Sequence, residues 1–151
     1  MWQINEVLQL DGKLYRILAV NSGKIVWICL DLDTARPERR AELEIISYFD
    51  EGRLFRHVDP FASINVEEPL VGSVAFNKRE QGLLIIQPII VDELCFEPKI
   101  RAQRVEQVRK SGMASVATIY KLLRRYWQRG QKPNSLLPDY KNSGAPGKTR
   151  A

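Results

Sequence analysis

The amino-acid sequence predicts an α+β fold: a small N-terminal β-rich module with one packed helix, a three-helix module and an extended basic tail. In the first third of the chain, runs of aliphatic and aromatic residues alternate with glycine-containing turns, as in short antiparallel strands. Apolar residues recur at helical spacing in the later part. Between these two parts of the chain, Pro60, Pro69 and Gly72 interrupt any regular spacing of apolar residues, which indicates a linker. The predicted β-rich module, linker, helical module and tail are, in order, 1–58, 59–73, 74–130 and 131–151.

Three strands are predicted at the start of the first module, over residues 6–10, 14–20 and 24–30. All three are rich in Val, Ile, Leu, Tyr or Trp, residues that favour strands. Asp11-Gly12 and Asn21-Ser22-Gly23 separate them, and both sequences are typical of tight hairpin turns. Apolar side chains fall on both faces of the middle run, so we expect that strand to be buried on both sides.

The rest of the first module is predicted to contain a charged loop, a helix and a returning strand. The loop covers residues 36–40, where Arg and Glu surround a proline. Residues 41–50 place apolar side chains at helical spacing, and Gly52 follows as a helix stop. Residues 54–58 are predicted to return as a short strand.

The second module is predicted to contain three helices, of which the last two form a helix–turn–helix. The first covers residues 76–91, but Pro88 leaves its continuity open because proline removes a helical hydrogen bond. The second covers 98–110 and begins with a proline, which is favourable in the first turn. Ser115 is a suitable N-cap for the third helix, predicted over 116–128.

Composition indicates a cytoplasmic protein without a membrane partner. The longest apolar cluster, residues 83–91, falls well short of the roughly 18 apolar residues that a membrane-spanning helix needs. The first residues lack the basic and apolar pattern of a secretory signal. Cys29 and Cys95 lie far apart in apolar surroundings, as expected of buried thiols in a reducing compartment.

Charge is divided unevenly along the chain. Residues 1–75 carry 8 basic and 12 acidic residues, whereas residues 76–151 carry 15 basic and 6 acidic residues. Ten of those cations, with Glu106 as the one acid, lie between positions 98 and 132. An ordinary solvated helix mixes both signs to form i,i+4 pairs, so this pattern favours a polyanion partner over a merely solvated face. On a helix–turn–helix, that partner is predicted to be duplex DNA.

The third helix of the second module supplies the predicted contacts with DNA bases. Tyr120, Leu123 and Trp127 lie on its apolar stripe and are predicted to be core residues. On the opposite face small and polar residues come first and long cations later, the order expected of a helix that enters the major groove. Base contacts are predicted for Ser115, Ala117, Thr118 and Lys121. Phosphate contacts are predicted for Lys99, Arg101, Arg104, Arg124, Arg125 and Arg129.

The sequence supports an enzymatic function less well than DNA binding. The clustered carboxylates are Asp31, Asp33, Glu42 and Glu44. Acids at such spacings are usually solvent-facing rather than paired ligands of a two-metal site. His57 is the one histidine, and no nucleophile can be assigned to it from the sequence. Because the sequence also contains no phosphate-binding glycine loop and no Cys/His metal spacing, neither a catalytic site nor a metal or cofactor site is predicted.

Five stretches of the sequence resemble a known family. They are IYKLLRRYWQRGQ at 119–131, LPDYKNSGAPG at 137–147, MWQINEV at 1–7, RAEL at 40–43 and DEGRL at 50–54. Together they resemble the start of the TnsB family, the end-binding transposase subunits of TnsABC-type transposons. These subunits are related to Mu transposase and the retroviral integrases. The similarity extends over essentially the whole chain.

The resemblance implies a function and a set of partners. It implies sequence-specific recognition of repeated sites in transposon ends in the bacterial nucleoid, self-assembly on that DNA, and action with a TnsA-like nuclease and a TnsC-like ATPase. Members of the family continue into an RNase-H-like domain with a metal-binding DDE triad that uses Mg²⁺, whereas this sequence stops at Ala151. We therefore expect DNA binding from this chain, without catalysis and without a cofactor.

Two alternatives stay open at this stage. The chain could chiefly be an assembly module that docks transposase subunits, since residues 1–75 have a net charge of −4, which weakly favours a protein partner. It could also be a truncated transposase that regulates transposition by competing for the ends. The tail could follow a minor groove or serve as a linker.

Overall fold

The α+β fold is confirmed by the computed structural model, which describes residues 2–139. A five-stranded antiparallel sheet with one helix is followed by three further α-helices. The strands are β1 Val7–Leu10, β2 Lys13–Asn21, β3 Lys24–Cys29, β4 Glu38–Ala41 and β5 Leu54–Arg56. The helices are α1 Glu42–Asp50, α2 Val74–Ile86, α3 Pro98–Lys110 and α4 Val116–Gln128.

The sheet has the order β4-β3-β2-β1-β5. Both predicted hairpin turns are present, and Asp11-Gly12 and Ser22-Gly23 have the positive φ angles that such turns require. The prediction of a loop over 36–40 is wrong, because most of this charged run forms β4. An edge strand exposes its side chains and one row of backbone groups to solvent, so it accepts charged residues that a central strand would exclude.

Each face of the sheet covers a different core. On one face Trp2, Ile17 and Trp27 pack with α1. On the other face Leu18 and Ile28, both in the middle of the sheet, pack with residues of α2, α3 and α4. The predicted burial of β2 on both sides is confirmed, and the two predicted modules share one apolar core.

Local signals set the limits of the three later helices. Ser73 caps α2 by accepting a hydrogen bond from the Phe76 N–H at 3.1 Å. That helix ends at Ile86, two residues before Pro88, so the predicted extension to residue 91 is wrong. A Cβ on Gly82 of α2 would lie 3.3 Å from the side chains of Leu122 and Leu136, so the glycine allows α2 to approach α4 closely.

The segment after α4 is packed rather than extended as far as residue 139, which corrects the predicted tail. Pro133–Leu136 forms a 3-10 helix whose last three residues are buried. Asn134 accepts a hydrogen bond from Arg79 at 2.7 Å and donates to the carbonyls of Ile64 and Glu67 at 3.0 and 3.2 Å. These bonds fix both the segment and the predicted linker, which itself contains a 3-10 turn. Positions 140–151 of the predicted tail lie outside the described residues.

A buried arginine joins the parts of the fold. Arg16 on β2 is 0% exposed, and its guanidinium donates to both carboxylate oxygens of Asp59 at 2.9 and 2.7 Å. It also donates to the carbonyl of Asn5 at 2.8 Å and to the carbonyl of Gln128, the last residue of α4, at 3.0 Å. The sheet, the linker and the end of α4 are therefore held at one charged centre.

Candidate nucleic-acid interface

α4 is amphipathic, and its inner stripe fixes which face is available to a partner. Ile119, Leu123 and Trp127 are buried in the core, and Tyr120 is half-buried at the margin of the stripe. The sequence prediction that Leu123 and Trp127 are core residues is confirmed. The outer face of the helix is left to solvent at its N-terminal half.

The four residues predicted to contact bases are all exposed on that outer face or at its start. Ser115 caps the helix, accepting from the Thr118 N–H at 3.2 Å, and its hydroxyl lies 3.1 Å from that of Thr118. Ala117 adds no more than a methyl group, so another molecule can approach the backbone closely. Within residues 2–139, Lys121 has no carboxylate partner. The predicted base contacts therefore share one accessible surface.

A groove of about 380 Å³ runs along the later part of α4. Cations dominate its walls, which are formed by Asp33, Lys121, Arg124, Arg125, Gln128 and Arg129. Three of the six predicted phosphate contacts are therefore brought together beside Lys121. Among residues 2–139, Asp33 is the single acid that lines this groove.

Arg124 and Gln128 also attach a loop of the first module to α4. The Arg124 Nε donates to the carbonyl of Ala35 at 3.1 Å. The Gln128 amide donates to the carbonyls of Cys29 and Leu32 at 2.9 and 2.8 Å. The loop that follows β3 is consequently fixed against α4.

Arg125 and Arg129 share a carboxylate partner, Asp139. Arg129 donates to it at 2.5 Å, and Arg125 donates at 3.3 Å while also bonding the Leu137 carbonyl at 3.1 Å. The hydrogen bond from Arg129, with the charges of both arginines, holds the pKa of Asp139 below its ordinary value. The guanidinium of Arg129 also lies over the ring of Phe61, 4.9 Å from its centre.

The predicted phosphate contacts on α3 lie in three different environments. Lys99 is exposed, and Arg104 is half-buried between the Ile89 carbonyl at 2.9 Å and Asp92 at 3.0 Å. Arg101 is only 3% exposed, donates to the Cys95 carbonyl at 3.0 Å and lies 5.6 Å from the centre of the Trp127 ring. Burial lowers its pKa. A side chain so enclosed cannot reach a phosphate, so the fold corrects the prediction for Arg101.

The residues considered for catalysis form hydrogen bonds within the fold or lie exposed at the surface. Asp31 accepts a hydrogen bond from the Leu14 N–H at 2.8 Å, and Glu44 accepts from the Tyr48 hydroxyl at 2.6 Å. His57 is exposed, with Nδ1 2.7 Å from the Val58 carbonyl oxygen. Among residues 2–139, no group of three or more His, Cys, Asp or Glu side chains is arranged to hold a metal ion.

Sequence reasoning missed Arg36, which the fold places beside α4. Its guanidinium lies over the ring of Tyr120, 5.1 Å from the ring centre. More than eighty positions separate the two residues, so periodicity along either segment carries no sign of this contact. Only the packing of the sheet against α4 brings them together.

Fold and site define a class: a sheet domain joined to a helix–turn–helix whose second helix exposes a cationic face. Residues 1–60 match the TnsB N-terminal SH3-like domain, and residues 79–140 match the TnsB second domain. This chain belongs to the TnsB family.

A relative supports that assignment. The transposon Tn7 transposition protein TnsB of Escherichia coli is 53% identical over 151 residues, which is 100% of this chain. The chain spans 22% of the length of that protein. No helix within residues 2–139 is long and apolar enough to cross a membrane.

Proposed function

We propose that this chain binds duplex DNA sequence-specifically at transposon ends, as the N-terminal part of a TnsB-like transposase. The observation that carries the proposal is the accessible face of α4, where Ala117, Thr118 and Lys121 are exposed and a cationic groove begins. A helix of 13 residues is about 20 Å long and fits the major groove, which is about 12 Å wide.

Side-chain size along α4 supports the proposed direction of entry. The small residues Ser115 and Ala117 come first, so the helix start can approach base edges without a steric barrier. Lys121, one turn later, can extend to a guanine or a phosphate. Its ammonium has three donors and no carboxylate partner within the described range.

The flanking cations are proposed to contact phosphates and fix the register of the helix in the groove. Lys99 reaches solvent freely from the first turn of α3. Arg124 uses Nε for the Ala35 carbonyl, which leaves its other nitrogens for a phosphate. Arg125 and Arg129 present guanidinium groups that already hold one oxyanion, the carboxylate of Asp139, and a phosphate has the same hydrogen-bonding geometry. Arg104 is less favoured because Asp92 neutralises it.

The wider activity is also a proposal. Strand cleavage and joining would be performed with Mg²⁺ by an RNase-H-like domain carrying a DDE triad, with a TnsA-like nuclease and a TnsC-like ATPase as partners. For DNA binding by the two domains described, we propose no cofactor. The proposed place of action is the cytoplasm, where the nucleoid DNA lies and where Cys29 and Cys95, both free, remain thiols.

The test is protection mapping of the transposon ends, combined with titrations of an end duplex and a shuffled duplex at two salt concentrations. We expect discrete protected sites, and we expect Lys121→Ala to lower the preference for the end duplex by about tenfold. Lys13→Ala is the matched control because Lys13 is an exposed lysine at the start of β2, outside the α4 surface. Absence of protection at both salt concentrations, or equal effects of the two variants, would contradict the proposal.

One observation favours a second role, the docking of transposase subunits on adjacent sites. The segment before α2 and the first residue of α2 expose aliphatic side chains, Val66, Leu70, Val71 and Val74, the third of which is 85% exposed. Where exposed apolar side chains form one patch, they mark protein contacts. If it serves assembly, Leu70→Ser with Val71→Ser would reduce the cooperativity of binding to repeated sites and leave the affinity for a single site unchanged.

A further inference from the structure

We propose that the SH3-like domain contributes directly to the DNA-binding surface, through a phosphate contact made by Arg36 beside the face of α4 that enters the groove. This inference rests on the proposed function and extends it, since it assigns a DNA contact to the domain with the net negative charge. It requires that Arg36 be accessible, be held close to α4 and be free to bind an anion. The structure supplies an observation for each requirement.

Arg36 is accessible and is held in place by an aromatic ring. It is an exposed residue, and its guanidinium lies 5.1 Å from the centre of the Tyr120 ring. Such a cation–π contact favours one position of an otherwise mobile side chain and uses none of its N–H donors. Tyr120 is the fifth of the 13 residues of α4, so the stacked guanidinium lies beside the N-terminal half of that helix.

The loop that carries Arg36 is bound to α4 rather than to the sheet alone. The Arg124 Nε donates to the carbonyl of Ala35, the residue directly before Arg36. The Gln128 amide donates to the carbonyls of Cys29, the last residue of β3, and of Leu32 in the same loop. Any duplex that docks on α4 therefore meets Arg36 at a fixed position.

A second connection fixes the other side of the loop. Arg39, at the start of β4, forms a salt bridge of 3.0 Å with Glu97, the N-cap residue of α3. The strand that follows Arg36 is thus tied to the start of α3, where Lys99 is exposed. In a helix–turn–helix, this end of the first helix lies against the DNA backbone. Arg36 therefore lies beside α4, in a segment whose following strand is tied to the start of α3.

The charge of Arg36 is not neutralised within residues 2–139, where no carboxylate pairs with it. The buried guanidinium of Arg101 lies close enough that, after desolvation, the positive charge of Arg36 further lowers the pKa of Arg101. Two positive charges that repel one another form a favourable place for an anion. A phosphate at Arg36 would relieve that repulsion.

A second stacked arginine in the same domain shows what a purely structural contact looks like. Arg53 lies 4.8 Å from the ring centre of Tyr48, but it also forms salt bridges with Asp11 at 2.6 Å and with Glu51 at 2.9 Å. The charge of Arg53 is therefore neutralised by carboxylates of the protein itself. Arg36 stacks on a tyrosine in the same way but has no carboxylate partner within residues 2–139. This arrangement is expected of an arginine that binds an anion from another molecule.

The experiment compares these two arginines in the whole chain. Affinity for an end duplex is measured over a salt series from about 50 to about 200 mM for the unmodified chain, Arg36→Ala, Arg53→Ala and Lys121→Ala. We expect Arg36→Ala to weaken binding and to reduce the salt slope by about one unit, so that the loss of affinity across the series shrinks about 3.5-fold. Arg53→Ala removes the same charge and the same stacking, and we expect the slope to stay unchanged.

The variant Arg36→Lys distinguishes the effect of losing the positive charge from the effect of disturbing the fold. It keeps the positive charge and loses the planar stack, so we expect the salt slope of the unmodified chain with a slightly lower affinity. An unchanged slope in Arg36→Ala, or an equal fall in Arg53→Ala, overturns this inference. If Lys121→Ala nevertheless weakens end recognition, the proposed function stands alone. If the unmodified chain binds no duplex at all, both fail.

Discussion

Arg16 and Lys121 show two different uses of positive charge around the same helix. Arg16 lies on β2 against the end of α4, is fully buried and donates hydrogen bonds to Asp59, Asn5 and Gln128. Lys121 lies on the outer face of α4, is exposed and has no carboxylate partner among residues 2–139. Net charge alone would count both as DNA-binding cations. Burial and partners separate them into one residue that holds the fold together and one that is available to a ligand.

The largest effect is expected from removing the buried charge. Arg16→Met keeps most of the volume but leaves the Asp59 carboxylate and the carbonyls of Asn5 and Gln128 without their donor. Breaking a buried ion pair costs about 3–5 kcal/mol, and water can partly solvate the Asp59 carboxylate because that side chain is one-third exposed. We therefore expect a loss at the lower end, about 3 kcal/mol in the free energy of unfolding, measured by urea titration. Lys13→Met, on an exposed site, should change it by less than about 0.5 kcal/mol. Equal effects of the two variants would contradict the proposed role of Arg16.

The same ion pair should make stability depend on pH. Burial raises the pKa of Asp59, but the hydrogen bonds from Arg16 and from the Phe61 N–H, with the nearby positive charges, lower it by more, so the net shift is downward. A lowered pKa in the folded state means that the stabilisation is complete above the ordinary Asp pKa of about 4. It is lost as pH falls through the lowered value. Unfolding titrations of Asp59→Asn should lack this part of the acid-side decline, and an unaltered decline would exclude Asp59 as its source.

Arg101 tests whether burial or sequence position decides which cations meet DNA. Arg101→Met should cost about 1 kcal/mol of stability, because one hydrogen bond to the Cys95 carbonyl and the contact with Trp127 are lost. The salt slope of DNA binding should stay as in the unmodified chain. A slope reduced by a full unit would show that Arg101 leaves its buried position when DNA binds.

The sequence predicted the elements of this protein better than the relations between them. The hairpins, the caps and the inner stripe of α4 depend on residues close together in the chain, so they could be read directly. The position of Arg36 over Tyr120 and the burial of Arg101 depend on how the sheet packs against α4, which no local period records. The prediction of an extended tail is wrong for the segment up to residue 139, which is packed. Its polar composition concealed Leu136 in the core.

Because the sheet and the helices share a core, a deletion is a poor test of the first domain. Removing residues 1–73 would take Leu18 and Ile28 out of that core and would also remove both Arg16 and Asp59. Loss of DNA binding would then report unfolding. Surface substitutions such as Arg36→Ala and Arg53→Ala leave the core intact and separate the contribution of the domain to binding from its contribution to folding.

The smallest expected effect concerns the arginines that lie between the two extremes, since Arg125 and Arg129 are half-buried and share Asp139. A phosphate and the Asp139 carboxylate compete for the same donors. Asp139→Asn should therefore raise affinity for any duplex by about threefold, equally for end and shuffled sequences, because phosphate contacts carry no sequence information. Titrations of both duplexes measure this change.

Arg125→Ala supplies the control for that competition. Alone, it should weaken binding to all sequences alike and lower the salt slope by about one unit. Combined with Asp139→Asn, it should remove much of the gain in affinity, because the two residues then no longer act independently. If Asp139→Asn instead weakens binding, the carboxylate positions the two arginines for DNA rather than competing with it.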